Sequence, residues 1–217
     1  MGYSVHRLNG VGLEANAYLL ECKRPLLIDV GTGARLDELL RDLRAILGDR
    51  RLELLALTHM HFDHTGGAAS LQEATGAEAI AHPPDSSALA DGDGEMTCAF
   101  WLGESQRPIL VREVREGEKI ELGDATLEVL HTPGHSAGSM ALFDRRSRSL
   151  FSGDTVFTGG GVGRCDLPTG NAGQLIASLE RLLSLGLRNL YPGHGPCAEG
   201  DGSAHIELGL RMARSLF

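Results

Sequence analysis

Apolar residues recur along this chain with two different periods, one typical of helices and one typical of strands. The leucines of Arg35–Leu47 repeat at i, i+3, i+4 and i+7, which predicts an amphipathic helix ended by Gly48. Apolar residues with similar helical spacing predict helices over Ala172–Leu185 and Ser203–Leu216. A further helix is expected over residues 66–75.

Short apolar runs bounded by glycine, proline or polar turns predict strands. In the first half of the chain these are Ala17–Cys22, Pro25–Val30, Leu52–Thr58 and Glu78–His82. In the second half they are Lys119–Leu122, Thr126–Thr132, Ser139–Asp144, Ser149–Ser152 and Asn189–Tyr191. The alternation of strands and helices predicts an α/β fold. Pro83–Pro108 shows neither period, and we expect an irregular segment that covers or walls a substrate site.

Length and composition predict one domain over residues 1–217. The 217 residues contain no internal repeat and no low-complexity linker, and a chain of this size can bury about 70% of its surface without disulfides. No apolar run reaches the ~20 residues of a membrane-spanning helix, and no secretory signal is visible. The four cysteines are scattered without pairs in sequence, which favours the cytoplasm.

Charge and histidine content narrow the function. There are 29 acidic against 20 basic residues, a formal charge of -9, which argues against a protein that neutralises nucleic-acid phosphates. Nine histidines accompany only one Trp and three Tyr. Since histidine is the commonest metal ligand and a common acid–base catalyst, their positions decide what chemistry to expect.

A cluster of metal-binding residue types follows the predicted strand that ends at Thr58. The sequence there is T-H-M-H-F-D-H, and in extended backbone the side chains of His59 and His61 point to the same face. These two imidazoles could therefore bind one cation. The chain then turns towards a helix, so that Asp63 and His64 can reach a neighbouring point.

Further ligands stand just after three later strands. His135, Asp154 and His194 each lie beside glycine, where the backbone can approach a site closely. We predict two cation positions, the first formed by His59, His61 and His135, the second by Asp63, His64 and His194, with Asp154 between them. Mixed imidazole and carboxylate ligands suit Zn²⁺, iron or Mn²⁺.

Together these motifs resemble the metallo-β-lactamase superfamily. The resemblance runs from the turn after Asp29 to the sequence P-G-H that ends at His194, and it implies a four-layer αβ/βα sandwich with metals at one edge of two packed sheets. Within the superfamily, Gly153–Phe157 followed by Gly163–Asp166 is similar to the glyoxalase II branch and its persulfide dioxygenase relatives. The seven positions named above would bind the metals, and a bridging hydroxide would be the nucleophile.

Two departures from glyoxalase II are visible. Met60 stands where that enzyme has the middle one of three consecutive histidines, and only about 20 residues follow His194. We therefore expect a relative that has no separate C-terminal helical domain for glutathione and does not use glutathione in the same way.

The resemblance implies a hydrolase of a thioester or related acyl compound that uses two divalent ions, with Zn²⁺ ahead of iron and Mn²⁺. Asp63 would hold the second ion and orient the nucleophile or relay its proton, and Asp154 would fix the spacing of the ions. One alternative is a mononuclear iron persulfide dioxygenase, whose ligands would be His59, His135 and Asp154; another is a lactonase of the same fold. The expected partner is a small acyl substrate, without nucleic acid or membrane, and a homodimer remains a candidate assembly.

A few residues have a functional and a structural interpretation. Asp29 could support the metal-binding loop or only form a turn, and His131 could support the site or be a structural histidine. For Cys165 we favour an inert thiol over a redox role. The pair Phe100 and Trp101 could wall the substrate site or plug the core.

Overall fold

Two six-stranded sheets face each other in this computed structural model, which describes residues 2–217. In the first sheet the spatial order follows the chain order. Its strands are β1 (Ser4–Asn9), β2 (Asn16–Glu21), β3 (Leu26–Ile28), β4 (Leu54–Ala56), β5 (Glu78–Ala81) and β6 (Val111–Glu113). The pairs β1–β2 and β2–β3 are antiparallel, whereas β3 to β6 run parallel.

The second sheet has the spatial order β12-β11-β10-β9-β8-β7. Its strands are β7 (Lys119–Glu121), β8 (Thr126–His131), β9 (Met140–Asp144), β10 (Ser149–Gly153), β11 (Asn189–Pro192) and β12 (Ala198–Glu199). Strands β7 to β10 are antiparallel neighbours, β10 and β11 are parallel, and β12 returns antiparallel. The ends of β8, β10 and β11 therefore lie at the same edge of this sheet.

The helices are α1 (Leu36–Leu47), α2 (Phe62–Thr65), α3 (Ala68–Thr75), α4 (Asp85–Asp91), α5 (Ala172–Leu183) and α6 (Gly202–Leu216). All but the one-turn helix α2 cover the outer faces of the sheets. Apolar residues of α1, α3 and α4 form one buried layer with the first sheet, and those of α5 and α6 form another with the second sheet. No helix within residues 2–217 combines the length and apolarity needed to cross a membrane.

A third apolar layer fills the space between the sheets. Along β2 the residues alternate between layers: Ala17 and Leu19 face the helices, while Tyr18 and Leu20 face the second sheet. The strands of the first sheet read as continuous apolar runs because both of their faces are covered. Tyr18 packs at 5.6 Å, edge to face, against both Phe151 and Tyr191 of the opposite sheet. These contacts hold the two sheets together.

The layers confirm the predicted α/β sandwich, and the three long helices match their predicted positions within one or two residues. Sequence periodicity missed β1, β6, β12, α2 and α4. Strand β1 is an edge strand whose residues are all at least partly exposed, so it lacks an apolar run. The segment expected to be irregular, Pro83–Pro108, contains the seven-residue helix α4 and a single 3-10 turn at Phe100–Leu102. Two turns of helix are too short for a clear 3.6-residue period.

We expect Phe151→Ala to lower the free energy of unfolding by about 3–5 kcal/mol, because it removes an aromatic ring from the layer between the sheets. Chemical denaturation followed by circular dichroism measures the loss. The matched control is Phe217→Ala, which truncates the same side chain at an exposed position. A loss below about 1 kcal/mol for Phe151→Ala would contradict the view that this layer joins the sheets.

Candidate metal centre

The candidate site lies at the edge of the sandwich where strands of both sheets end. In the first sheet, Asp29 follows β3 and the motif with His59 follows β4, which runs parallel to β3. In the second sheet, His135 lies four residues past β8, Asp154 directly follows β10, and His194 lies two residues past β11. Backbone hydrogen bonds join the two sheets at this edge, from Met140 N to Thr58 O (2.8 Å) and from Asn16 N to Gly193 O (2.7 Å).

The first predicted ligand set comes together. His59, His61 and His135 are buried, and each offers a ring nitrogen within 4.8 Å of the other two. Nδ1 of His61 lies 2.8 Å from Nε2 of His135, and the His59 ring centroid lies 4.8 and 4.7 Å from those of His61 and His135. The three imidazoles, two from the first sheet and one from the second, surround one point.

The second predicted set lies beside it. Asp63 Oδ2 is 3.0 Å from Nε2 of His194, which is 3.2 Å from Nε2 of His64. Asp63 and His194 are the solvent-facing members, with side chains 30% and 31% exposed, whereas His64 is fully buried. This position is therefore the more solvent-exposed of the two.

Asp154 stands between the two sets. Its Oδ1 lies 3.2 Å from Nε2 of His64, and its Oδ2 lies 3.7 Å from Nε2 of both His135 and His194. One carboxylate thus faces both imidazole groups. That is the place predicted for a residue that sets the spacing of two ions.

Hydrogen bonds outside the cluster fix which ring nitrogen of each histidine faces inwards. His64 Nδ1 lies 2.8 Å from Asp29 Oδ2, and His135 Nδ1 lies 2.7 Å from the carbonyl of Arg164. The Thr58 hydroxyl donates to Asp29, so it accepts from Nδ1 of His59 at 3.1 Å. Because the outer nitrogens carry the protons in these hydrogen bonds, Nε2 of all three rings is left facing the centre.

Burial and charge act differently on the two sets. Burial and neighbouring imidazoles hold the pKa of His59 well below its usual 6.5, and burial with His135 lowers that of His61 to about 3. For His64, burial favours the neutral ring, but the surrounding carboxylates, Asp154 first, raise its pKa well above 6.5. Burial likewise opposes ionisation of Asp63 and Asp154, and the charge on His64 outweighs it and lowers both carboxyl pKa values.

The residues present fit divalent metal ions. Nε2 of His59 is buried and has no hydrogen-bond partner within residues 2–217. Such a polar atom is costly when unpaired, and a cation would satisfy it. Nitrogen and oxygen donors of this kind bind Zn²⁺, iron or Mn²⁺, and histidines held by a carboxylate or a carbonyl on their other nitrogen are typical of metal ligands.

Glycines make the close approach of the loops at this edge feasible. A Cβ added to Gly193 would lie 2.1 Å from Oδ1 of Asp154 and 2.7 Å from Cε1 of His64. A Cβ on Gly163 would lie 2.8 Å from Nδ1 of His135. These contacts are too short for any side chain, so the ligands can converge only if these positions are glycine.

Comparison with known proteins agrees with this arrangement. The profile of the metallo-beta-lactamase superfamily matches residues 10–194. The chain belongs to the metallo-β-lactamase superfamily. It is 36% identical to a probable metallo-hydrolase of Methanocaldococcus jannaschii over 96% of both chains. It is also 36% identical to an acyl-coenzyme A thioesterase of Gallus gallus, over 84% of this chain and 73% of that protein.

Two further relatives bear on the branch and the metal. A hydroxyacylglutathione hydrolase of Rhodospirillum rubrum is 37% identical over 63% of this chain and 46% of its own length. The crystal structure of TTHA1623 in a di-iron-bound form superposes with a TM-score of 0.76, at 36% identity, covering 94% of this chain and 96% of that one. The resemblance to the glyoxalase II-like branch of the superfamily is confirmed.

The residues with two interpretations are now resolved in part. Asp29 supports the loop that carries the candidate ligands, since its carboxylate accepts from Thr58 N and contacts His64. His131 does not touch the ligands; its ring stacks on His82 at 4.1 Å. Phe100 and Trp101 are 76% and 56% exposed, so they do not plug the core.

Arg164, Cys165 and the cleft near Tyr3 have no direct part in the cluster of seven candidate ligands. The Arg164 guanidinium pairs with Asp166 at 2.9 Å, and the Arg164 backbone carbonyl accepts a hydrogen bond from His135. Cys165 is half-buried, and burial followed by the charge of Asp166 raises the pKa of its thiol, which disfavours the reactive thiolate. A cleft of about 810 Å³ lies elsewhere, between the sheets near Tyr3 and Tyr191, and none of the seven candidate ligands lines it.

Sequence reasoning missed Asp85, a buried carboxylate at the start of α4. It accepts hydrogen bonds from Met60 N, Ser136 Oγ and Gly138 N. The only signal in the sequence was an acidic residue after two prolines, in a segment expected to be irregular.

We expect Gly193→Ala to lower the metal content of the purified protein while the fold persists, because its Cβ would push Asp154 and His64 apart. Metal analysis by mass spectrometry and circular dichroism measure the two effects. The matched control is Gly76→Ala, since Gly76 has nothing within 4 Å of its Cβ; its φ of +71° adds a strain that is local to the end of α3. Full metal content in Gly193→Ala would contradict the assigned geometry.

We expect metal binding at the second position to release about one proton at neutral pH, because the raised pKa of His64 keeps its ring protonated until a metal replaces the proton. Affinity at this position should therefore rise with pH up to that pKa and fall as pH decreases. Calorimetry in two buffers of different ionisation enthalpy counts the protons. Binding without any proton release at pH 7 would show that the ring is already neutral.

Proposed function

We propose that this protein is a hydrolase that uses two divalent metal ions to cleave a thioester or a related acyl compound. The observation that carries the proposal is the convergence of seven ligand-type side chains at one sheet edge, in groups whose donor atoms lie within 4.8 Å of one another. His59, His61 and His135 would hold the first ion. Asp63, His64 and His194 would hold the second, and Asp154 would contact both.

Two divalent ions held by these residues would supply hydroxide at neutral pH and polarise the substrate carbonyl. The protein's own residues would position the ions and orient the ligands. Asp154 sets the distance between the positions, since it faces His64 on one side and His135 on the other. Asp29 keeps the His64 ring in its orientation through the hydrogen bond to Nδ1.

Asp63 is the residue best placed to handle protons. Its carboxylate is the most accessible one in the cluster, at 30% exposure, and its Oδ2 already bonds to His194. We propose that Asp63 orients the attacking oxygen and passes its proton towards the leaving thiolate. Because neighbouring charge keeps its pKa low, Asp63 is ionised near pH 7 and able to accept that proton.

Exposed apolar side chains on two segments that are hydrogen-bonded to the ligand segment favour an acyl substrate. Val11 and Leu13 are 62% and 69% exposed on the loop between β1 and β2, and this loop is tied to the ligand segment by a hydrogen bond from Ala15 N to Asp63 O. On another side the exposed Phe100 and Trp101 follow Thr97, whose carbonyl accepts from Phe62 N. Exposed apolar groups beside a reactive centre are typical of binding sites for apolar ligands.

Similar proteins support the thioester. Relatives are named acyl-coenzyme A thioesterase and hydroxyacylglutathione hydrolase, and both names describe hydrolysis of an acyl thioester. The formal charge of -9 does not favour a nucleic-acid substrate. Which thiol carries the acyl group, and whether the ions are zinc, iron or manganese, are decided by the experiment below.

The test is a substrate panel on one preparation with measured metal content. We expect close to two metal ions per chain and turnover of acyl-coenzyme A or acyl-glutathione thioesters without oxygen consumption. Turnover of cyclic esters instead would identify a lactonase. One iron ion per chain with oxygen uptake on a persulfide would identify the dioxygenase. Less than half an equivalent of metal in carefully prepared protein would contradict all three.

We expect the double variant His61→Ala/Asp63→Ala to lose at least ~100-fold in thioester hydrolysis, because it removes one ligand from each position. The matched control is His6→Ala/Asp37→Ala, which makes the same chemical change away from the cluster and should keep full activity. Initial rates with excess metal measure the difference. Equal activity of the two double variants would contradict the proposed site.

A further inference from the structure

Asp85 is a buried carboxylate that the metal cluster itself does not use. It is the first residue of α4, it is 1% exposed, and no cationic side chain within residues 2–217 pairs with it. A carboxylate in such a place is costly unless several donors satisfy it. Three hydrogen-bond donors satisfy the Asp85 carboxylate, and their positions in the fold indicate its role.

The donors come from both metal-binding loops. On one side, Met60 N donates to Oδ2 of Asp85 at 3.0 Å, and Met60 lies between His59 and His61. On the other side, Ser136 Oγ donates to the same oxygen at 2.5 Å and Gly138 N donates to Oδ1 at 2.7 Å. Ser136 directly follows His135 in the chain. One side chain therefore joins the two loops that carry the three imidazoles of the first position.

The loop of the second sheet is shaped for this contact. A Cβ added to Gly138 would lie 2.5 Å from Oδ1 and 2.6 Å from Cγ of Asp85, so only glycine permits the approach. The turn is held internally as well, because Ser136 N donates to Ser139 Oγ at 3.0 Å and the two hydroxyls lie 2.6 Å apart. Asp85 thus bonds to an internally hydrogen-bonded turn on one side and to the Met60 backbone on the other, which fixes their relative positions.

Asp29 bonds directly to a ligand of the second position. Its carboxylate contacts Thr58 and the ring of His64, and it makes no hydrogen bond to the turn after His135. Asp29 thus bonds to His64 itself and reaches His59 only through the Thr58 hydroxyl, whereas Asp85 bonds to no candidate ligand side chain. Asp29 orients a ligand of the second position directly, whereas Asp85 acts on the first position through the backbone of two loops.

We propose that Asp85 is a positioning residue for the first metal position, which it preserves by fixing the loop of His59 and His61 relative to the loop of His135. The proposal rests on the proposed metal-dependent function. It predicts that a change at Asp85 separates the two positions: the three-histidine position weakens and the one formed by Asp63, His64 and His194 does not.

The test variant is Asp85→Asn, which keeps the shape of the side chain but replaces one acceptor oxygen with a donor amide. That amide must face one of the N–H or O–H donors, so at least one hydrogen bond is lost. Zn²⁺ affinities are measured by competition with a chelator. Two single variants, His61→Ala and His194→Ala, assign each binding step to its position.

We expect Asp85→Asn to weaken binding at the first position by about 10–100-fold and to leave the second position unchanged. The visible absorption of Co²⁺ bound at the first position should change as well, since a shift of the ligands alters the coordination geometry. Asp91→Asn, the same change at the exposed end of α4, is the control and should match wild type in affinities and spectrum.

Two other variants keep the test decisive if Asp85→Asn does not fold. Ser136→Ala removes one donor and leaves two backbone donors, so a loss below about 10-fold is expected, confined to the first position. Gly138→Ala keeps the carboxylate but displaces it, and the loss should exceed that of Ser136→Ala. Unchanged affinity in both variants would overturn the proposal.

The outcome for Asp85 is separable from that for the reaction. Wild-type affinities in a folded Asp85→Asn protein, or equal losses at both positions, would overturn the positioning role even if wild type hydrolyses thioesters. Two tightly bound ions in a wild-type protein that cleaves no thioester would overturn the proposed function alone, because the affinity measurements use no substrate.

Discussion

The apolar layer between the two sheets is the interaction on which the rest of the molecule depends. No single segment carries a complete candidate metal position: the first takes two histidines from the loop after β4 and one from the loop after β8. The second combines Asp63 and His64 with His194, which follows β11. Contacts such as Tyr18 against Phe151 and Tyr191 hold the sheets together, and thereby bring these loops to one edge.

The protonation states in the cluster follow from the burial of its histidines and from the carboxylates that surround His64. Burial keeps the imidazoles of His59 and His61 neutral, which is the form that binds metal ions. The three carboxylates around His64 instead favour a positive charge at that point. A metal ion provides such a charge, so the acidic residues that give the chain part of its formal charge of -9 would be balanced by bound cations.

Hydrogen bonds beyond the ligands give the cluster its rigidity. Asp29, the Thr58 hydroxyl and the Arg164 carbonyl each engage the outer nitrogen of one histidine, and so fix the direction of its lone pair. Gly193 and Gly163 leave room for neighbouring loops to touch the ligands. Exposed apolar side chains, including Leu13 and Trp101, lie on two segments that are hydrogen-bonded to the His59–His64 segment.

The sequence by itself determined the α/β class, the positions of the long helices and the choice of seven candidate ligands, because these depend on local period and on short motifs. The His59–His64 motif and the glycine-flanked His135, Asp154 and His194 are readable without coordinates. Their assignment as ligands is still a prediction. So is the expectation that one domain accounts for residues 1–217.

Only the tertiary structure decided which residues support the cluster. Asp85 lies 25 residues from Met60 and 51 from Ser136 along the chain, and nothing in its neighbourhood in sequence marks it as their partner. The sequence likewise did not decide that His131 stacks on His82 or that Trp101 is exposed. Local patterns record which face of an element is apolar; contacts between distant loops arise from the packing of two sheets, which no single segment encodes.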